Sequence, residues 1–289
     1  MSTVSDTREA WYSARGIKSW TVSEQLWQKA EPLVPVRKRE PKRKYQRKAG
    51  VGRKPKDARR VFEAIVYVLR TGCQWKALPK EFDGASAVHA KFQERQKAGF
   101  FVALWKAGLA EYDGMDGIAW ERQSIDGALG KAPLAQECVG ANPTDRGKKG
   151  RKRSLLVDAR GVPLSLVVSG ANRHDVELLP ATLDAILVRR PKTVHPHLCA
   201  DAGYKGQPAH DAIVARGYRT PYKTTPRRSR RSRRKTTSRT ALGRRTLSFM
   251  VQPLSQAPSQ LRKSAASYVG LFSLAAALIC WRQSIFIYR

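Results

Sequence analysis

Apolar residues recur every three to four positions in the first 115 residues, and this spacing predicts amphipathic helices. In the clearest case Asp57 can cap the first turn and Gly72 can end the last. One face of this helix carries Val61, Ala64, Ile65, Val68 and Leu69. A second helix is expected from Ser86, with Val88 and Phe92 inward, and a third in FFVALWKAGLAEY. An earlier amphipathic piece, VSEQLWQKAEPLV, starts near a capping serine and stops at its prolines.

After residue 120 the pattern changes to short β-rich runs. RQSIDGALG predicts a short strand that ends in Asp126 and a glycine turn, and RSLLVDARGVPLSLVVSG (153–170) predicts a hairpin. VELLPATLDAILV predicts a helix, TVHPHLCADAGYKG a strand and its turn, and QPAHDAIVARG another helix ended by Gly217. This is an α/β order, in which sites lie at the carboxyl ends of strands, and both Asp126 and Asp201 are predicted there.

The longest apolar run, YVGLFSLAAALICW (268–281), is shorter than the roughly 20 residues that a spanning helix needs. No apolar N-terminal stretch is typical of a signal peptide. We therefore expect a buried helix in a soluble cytoplasmic protein. Four scattered cysteines without metal-ligand spacing are expected to be reduced thiols.

The net charge of +32, from 55 basic and 23 acidic residues, favours a polyanionic partner. Nucleic acid is the first expectation and an anionic membrane surface the second. The basic stretch at 37–56 is either a solvated linker or an arm that contacts phosphates.

The second predicted helix has an outer face expected to present His89, Lys91, Arg95 and Lys97. Short helices joined by tight turns, with a basic face on the later one, suit a helix-turn-helix that enters the major groove. A plain three-helix scaffold explains the same periodicity, and the overall charge favours DNA binding over it.

Two aspartates from different strand ends repel each other unless a cation lies between them. Mg²⁺ prefers one or two carboxylates together with water and phosphate oxygens, which suits phosphodiester chemistry. Many α/β proteins, however, place aspartate at strand ends as a turn former or helix cap. The residues alone leave both interpretations of Asp126 and Asp201 open.

The remaining acids have simpler interpretations. Asp158 is expected to form an Asx-turn in the hairpin. Asp145 is expected to be a turn residue in the basic loop NPTDRGKKGRKR, whose Arg146, Lys148, Lys149 and Arg151 are candidate DNA contacts. His174 and Asp175 in ANRHD form either a surface turn or a pair that lines the site.

Several motifs together resemble bacterial insertion-sequence transposases of the DDE type, in the insertion-sequence-five family. They are YVLRTGCQWKALP, SIDG, NPTDRGKKGRKRSLLVDARGVPLSLVVSGANRHD, CADAGYKG and KSAASYVGLFSLAAALICW. The resemblance covers roughly residues 20–222 and 263–283. It implies an α/β fold: an RNase H-like mixed sheet with flanking helices, preceded by an all-α, helix-turn-helix-like N-terminal region.

The resemblance also implies function. The family cleaves DNA strands with water in a metal-dependent reaction, and the freed 3′ hydroxyl then attacks target DNA. Implied partners are double-stranded DNA, at the element ends and the target, and further copies of the chain. Mg²⁺ or Mn²⁺ is implied, as two ions in an intact member, with nucleoid association and neither a membrane nor a small-molecule substrate. Asp126 and Asp201 are similar to the first and second acids of the triad.

The family's third acid, a glutamate in a stretch similar to WVVERTxSWFNRFRKLLV, is absent. Asp211 is the last acid, although residues 212–289 hold 17 of the 55 basic residues. Codons exist for LGRRT (242–246) that read Trp-Val-Val-Glu one base later, and the same offset turns residues 250–259 into Trp-Phe-Asn-Arg-Phe-Arg-Lys-Leu-Leu. We therefore predict that residues 223–262 are translated out of frame and that the chain is defective in catalysis.

The expected organisation has five parts. They are an N-terminal helix and basic arm (1–56), a helical DNA-binding region (57–115), a catalytic core (120–222), the anomalous segment (223–262) and a C-terminal core helix (263–289). Three functions remain open: a DDE transposase, a non-catalytic DNA-binding remnant of one, and a nonspecific basic binder.

Overall fold

The computed structural model describes residues 21–36, 56–82, 84–115, 117–219 and 264–287. These residues form two compact units, one within residues 1–104 and the other within residues 105–289. The division falls inside the helix that starts at Phe100, whereas the sequence placed it after residue 115. Most of the basic stretch at 37–56 and all of the anomalous segment at 223–262 lie outside the described residues. The five-part organisation stays a prediction.

The first unit is helical, as the periodicity predicts. Helix α1 spans Glu24–Ala30, where the Ser23 hydroxyl accepts from the Leu26 amide at 3.3 Å. Helix α2 spans Ala58–Thr71; Asp57 caps it by accepting from the Arg60 amide at 2.9 Å. Gly72 ends it at φ 67°, a left-handed conformation that favours glycine.

Helix α3 spans Ala85–Lys97 and α4 spans Phe100–Met115. Residues 98–99 alone join α3 to α4, but 72–84 join α2 to α3 through two 3₁₀ turns, Trp75–Ala77 and Lys80–Phe82. A helix-turn-helix needs a turn of three or four residues. The prediction that a tight turn joins α2 to α3 is therefore wrong. The helices enclose an aromatic core of Phe62, Phe92, Phe100 and Phe101.

The second unit contains a five-stranded mixed sheet. Its strands are β1 (Arg122–Lys131), β2 (Gly140–Ala141), β3 (Lys149–Asp158), β4 (Pro163–Gly170) and β5 (His197–Cys199). The order is β2-β3-β1-β5, with β4 also paired to β3. The β1–β3 and β3–β4 pairs are antiparallel, and β5 is parallel to β1. The predicted hairpin is confirmed, and it starts four residues earlier than expected.

The expected end of the first strand at Asp126 is wrong. β1 continues for five residues to Lys131 because Gly127 to Lys131 pair in register with Ser154 to Gly150 of β3. Asp126 therefore lies in the middle of a strand, opposite Leu155.

Helices cover both faces of the sheet. Helices α5 (Asp175–Asp184) and α6 (Gln207–Val214) follow β4 and β5 in the chain. On one face Thr182 of α5 donates to the Ser154 hydroxyl at 2.8 Å. On the other face, Leu155, Val157 and Leu166 pack against Phe272 of α7 (Ala265–Ile287). We call these the α5 face and the α7 face.

Helix α7 is longer than the apolar run suggested. Its residues Ala265–Ser284 are long and apolar enough to cross a membrane by length and composition, but most of them are buried inside the unit. The Cβ of Cys280 lies only 3.1 Å from where a Cβ on Gly108 would stand, so α4 and α7 pack closely. The predicted interpretation of this run as a buried core helix agrees with its packing.

A central strand with an antiparallel hairpin on one side and a parallel strand on the other is the arrangement expected of an RNase H-like sheet. The mixed sheet, its flanking helices and the helical N-terminal region confirm the predicted fold class.

Candidate active site

Asp126 and Asp201 belong to the two segments that follow the paired part of the neighbouring strands β1 and β5. The parallel pairing of these strands ends at Ser124 and Cys199, and each aspartate follows its strand's last paired residue by two positions. Neighbouring strands lie about 4.8 Å apart, and side chains two positions apart point to the same face. Asp126 lies on the α7 face because it pairs with Leu155, and the shared spacing predicts the same side for Asp201, which follows the end of β5.

The backbone of Asp201 is extended (φ −82°, ψ −174°), and its side chain turns back onto the next residues. Its Oδ1 accepts from the Gly203 amide at 2.8 Å, which caps the 3₁₀ turn Ala202–Tyr204. Both Asp126 and Asp201 are half-buried. Oδ1 of Asp201 is therefore oriented by the backbone of the corner that follows β5.

A buried phenol lies among three carboxylates at this corner. Tyr204 is 1% exposed, and burial raises the pKa of its hydroxyl well above the ordinary value, while the Ser154 hydroxyl opposes the shift. The negative charges of Asp175, Asp126 and Asp201, in that order, raise this pKa further. Tyr204 is therefore a neutral group close to all three acids.

Asp175, the first residue of α5, lies against the reverse side of β1. Its Oδ1 is buried and lies 3.1 Å from Lys152 Nζ, an ion pair whose angles fall outside those of a hydrogen bond. A Cβ on Gly127 would overlap this oxygen. The motif ANRHD was expected to form either a surface turn or a pair that lines the site. The structure favours a place beside the site for Asp175. His174, in contrast, is exposed and makes no capping hydrogen bond.

The donor set suits a hard divalent cation, because carboxylate oxygens are the protein ligands that Mg²⁺ prefers. Two adjacent carboxylates can hold one such ion with DNA phosphate oxygens completing its shell. Within the part of the chain that the structure describes, no three acidic, histidine or cysteine side chains are grouped to hold a metal ion. An ion at this site would therefore have Asp126 and Asp201 as its candidate protein ligands.

The predicted DNA contacts of the second unit separate into two groups. Arg146, Lys148 and Lys149 are exposed on the loop that leads into β3. Arg151 is 2% exposed, donates to the Glu137 carbonyl at 2.9 and 3.1 Å, and stacks on Tyr268. Because the guanidinium is buried under α7, the expectation that Arg151 contacts DNA is wrong.

The predicted basic face of α3 is also smaller than expected. Arg95 is 3% exposed and donates to the Ala58 carbonyl at 2.9 Å, and burial lowers its pKa to about 10. Its expected outward position is wrong, because this arginine joins α3 to the start of α2. His89 packs against Trp75 and Phe92, while Lys91 is partly exposed and pairs with Glu94 at 2.7 Å. Contacts of His89 and Lys91 with DNA stay predictions.

Asp158 forms the predicted Asx-turn. Its Oδ1 accepts from the amides of Arg160 and Val162 at 2.9 Å, and its Oδ2 accepts from the Tyr112 hydroxyl at 3.2 Å and the Ala119 amide at 3.3 Å. Burial raises its pKa, and these hydrogen bonds oppose the shift. Asp145 lies in the predicted turn, 3.6 Å from Lys131 Nζ.

Lys152 and Tyr204 were not predicted as residues of the site. The need for glycine at positions 127 and 203 was therefore not predicted either. Lys152 was hidden in a run of basic residues. The sequence did contain a signal for these glycines: Gly127 follows Asp126 by one residue, and Gly203 follows Asp201 by two.

Comparison with known proteins shows the family of the chain. The family described as "Transposase DDE domain" matches residues 117–265, and "Putative transposase of IS4/5 family" matches residues 22–105. The chain belongs to the IS4/5 family of DDE transposases.

Two curated relatives come from Burkholderia cepacia. The "putative transposase for insertion sequence element IS402" is 36% identical over 88 residues, which are 27% of this chain and 40% of that protein. The "insertion element IS402 uncharacterized 16.2 kDa protein" is 31% identical over 124 residues, 42% of this chain and 80% of that protein. The chain thus matches less than half the length of the first relative.

Among solved structures, the catalytic domain of Mos1 mariner transposase is 9% identical, with a TM-score of 0.33 over 64% of this chain and 91% of that chain. The Mos1 strand transfer complex is 10% identical, with a TM-score of 0.33 over 81% of each chain. These likenesses are distant.

Proposed function

We propose that the chain is the DNA transposase of a bacterial insertion sequence, built to bind the terminal inverted repeats and to cut and transfer DNA strands, and that this copy is defective in cutting. The observation that supports the proposal is the parallel pairing of β1 and β5, because Asp126 and Asp201 each follow the last paired residue of their strand by two positions. Double-stranded DNA is the polyanion that the net charge of +32 favours.

The two aspartates are the proposed ligands of Mg²⁺ or Mn²⁺. A bound ion would supply Lewis-acid stabilisation of the scissile phosphate and would lower the pKa of a coordinated water. The carboxylates orient the phosphate, and the Asp201 carboxylate is itself oriented by the Gly203 amide. The exposed Arg146, Lys148 and Lys149 are proposed to contact the DNA backbone.

The proposed defect follows from the missing glutamate. No acid follows Asp211 in the sequence, and among the described residues no three acidic, histidine or cysteine side chains are grouped to hold a metal ion. Two-metal catalysis of strand transfer needs ligands on both ions, so we expect an incomplete second site. The alternative is a remnant that only binds DNA, which would compete with an intact transposase for element ends.

The test is incubation of the full chain with DNA that carries the inverted repeats flanking its own gene, in the presence of Mg²⁺. We expect specific binding without cleavage, and cleavage after residues 223–262 are replaced by the sequence of the shifted frame. The matched control is the same restored chain with Asp126→Asn, which should again bind without cutting.

Each other outcome removes one part of the proposal. Cleavage by the unrestored chain would overturn the defect, and no cleavage after restoration would support the binding remnant. Binding that is indifferent to sequence and lost with added salt would indicate only a basic nucleic-acid binder. A stop codon or unrelated residues in the shifted frame of the gene would remove the frameshift hypothesis.

A further inference from the structure

The acid pair has a polar support on the opposite face of β1. Lys152 and Ser154 of β3 lie opposite Leu129 and Gly127, and paired residues of antiparallel strands point to the same face. Ser154 contacts Thr182 of α5, so Lys152 also belongs to the α5 face. Asp126 points to the α7 face. Asp175 therefore lies behind Asp126, with the backbone of β1 between them.

The Asp175 carboxylate occupies space that two glycines leave open. A Cβ on Gly127 would overlap its Oδ1, and a Cβ on Gly203 would stand 3.4 Å from its Oδ2. The carboxylate thus lies tightly against Gly127 of β1 and near Gly203 of the corner that follows β5. Gly127 directly follows Asp126, and the Gly203 amide donates to Asp201.

Lys152 holds this carboxylate from the other side. The lysine is 7% exposed, and its Nζ lies 3.1 Å from Asp175 Oδ1. Breaking a buried ion pair by removing one partner leaves an uncompensated charge, so each member keeps the other in place.

We propose that Asp175, held by Lys152, is a positioning residue that sets the separation of Asp126 and Asp201 by wedging between Gly127 and Gly203. The proposal rests on the proposed function only in taking the acid pair as the metal site. Asp175 acts through the backbone next to each acid and does not itself bind the ion.

The variant Lys152→Met separates two possible roles of the lysine. Its charge and its hold on Asp175 predict opposite changes in the affinity for a divalent cation. Lys152→Met keeps the aliphatic stem and removes the positive charge next to Asp175. If only the local charge mattered, a divalent cation would bind more tightly. If the lysine holds the wedge in place, the cation binds more weakly, because the acids lose their spacing.

The first measurement is Mn²⁺ affinity of the full chain, by titration calorimetry or electron paramagnetic resonance. We expect Lys152→Met, Asp175→Asn and Gly127→Ala each to weaken Mn²⁺ binding by about tenfold or more, the loss typical when a residue supporting a metal ligand is removed. Asp175→Glu, which keeps the charge but is too long for the space, should behave in the same way. Circular dichroism checks that each variant is folded.

The matched controls remove the same charges nearby. Glu177→Gln removes an acid two residues further along α5, where Glu177 is exposed and pairs with Arg173 at 3.0 Å. Lys131→Met removes an exposed lysine at the end of β1, whose side chain is 63% exposed and lies 3.6 Å from Asp145. Both variants should leave Mn²⁺ affinity within about twofold of the wild-type value, since exposed charges are screened.

The second measurement needs no metal. Amide hydrogen exchange of the segment 201–205 reports the bond from Gly203 to Asp201, and we expect about tenfold faster exchange in the four disruptive variants but not in the controls. Unchanged exchange in Lys152→Met would overturn the proposal whether or not Mn²⁺ binds, as would tighter Mn²⁺ binding in that variant. Failure of the wild-type chain to bind Mn²⁺, with exchange altered as expected, would instead count against the proposed metal function alone.

Discussion

Two regions of the same sheet concentrate buried or half-buried aspartates, and they use them in opposite ways. At the β3–β4 turn, Asp158 is 2% exposed and accepts four hydrogen bonds from one hydroxyl and three amides. After the paired part of β1 and β5, Asp126 and Asp201 are half-buried, and Asp175 lies against Gly127 of β1. An aspartate surrounded by donors stabilises the fold, whereas carboxylates brought close together repel each other unless a cation lies between them.

The largest effect is expected at Asp158. Asp158→Ala leaves several buried donors without an acceptor, and we expect a loss of about 4 kcal/mol in the free energy of unfolding. Urea unfolding measures it, and Mn²⁺ affinity should stay unchanged under conditions where the variant is folded. Equal loss of Mn²⁺ binding would show that the two regions are not separate in function.

The second largest effect is the change in the free energy of unfolding with pH that Tyr112 causes. This residue is 1% exposed. Burial raises the pKa of its hydroxyl to about 12, from an ordinary value near 10. Between these two pKa values the folded chain keeps a proton that the unfolded chain loses. The contribution of this proton to stability is therefore complete below pH 10 and is lost as the pH rises to about 12. We expect this group to contribute a fall of about 2 kcal/mol.

Tyr112→Phe isolates that contribution, because the other buried tyrosines remain in both proteins. The variant should be less stable at neutral pH, since the hydroxyl donates to Asp158 and accepts from Arg160 at 3.0 Å. Its stability should depend less on pH between about 10 and 12. Parallel pH curves for the two proteins would contradict the assignment.

At the acid pair we expect a smaller effect with the opposite sign. Asp126→Asn removes repulsion between neighbouring carboxylates, so without metal the free energy of unfolding should rise by up to about 1 kcal/mol. Mn²⁺ affinity should fall by about 100-fold or more, because a ligand is lost. A stability loss as large as that of Asp158→Ala would indicate that Asp126 is structural.

The smallest change in the free energy of unfolding is expected for substitution of Asp184. This residue shows how much an exposed acid contributes. It pairs with Arg216 at 2.6 Å, an ion pair whose carboxylate is 61% exposed. Asp184→Ala should change the free energy of unfolding by about 0.5 kcal/mol or less, and added salt should reduce the difference. A loss near that of Asp158→Ala would remove the contrast between donor-rich and exposed sites.

The sequence predicted the helices, the hairpin and the turn at Asp158 because these depend on local periodicity and turn chemistry. It failed where tertiary pairing decides. Gly127 suggested a turn after Asp126, yet the strand continues because β3 supplies partners for it. Arg95 and Arg151 appeared to be surface cations, but backbone carbonyls distant in sequence satisfy them in buried positions.

The acid pair itself could be proposed from motifs, but its support could not. The pair of Lys152 and Asp175 joins residues 23 positions apart and was masked by a run of basic residues. The role of Gly127 depends on a carboxylate from another helix, which no local pattern reveals.

The unequal anchoring of the two acids bears on how the chain would adapt to a substrate. Asp126 sits within nine consecutive residue pairs between β1 and β3, whereas Asp201 lies beyond a three-residue strand, at a 3₁₀ corner. Long paired strands resist displacement and short strand ends do not. When a bent or distorted duplex enters, the accommodation would come from the Asp201 corner, with Asp126 as the fixed reference point against which the phosphate is aligned.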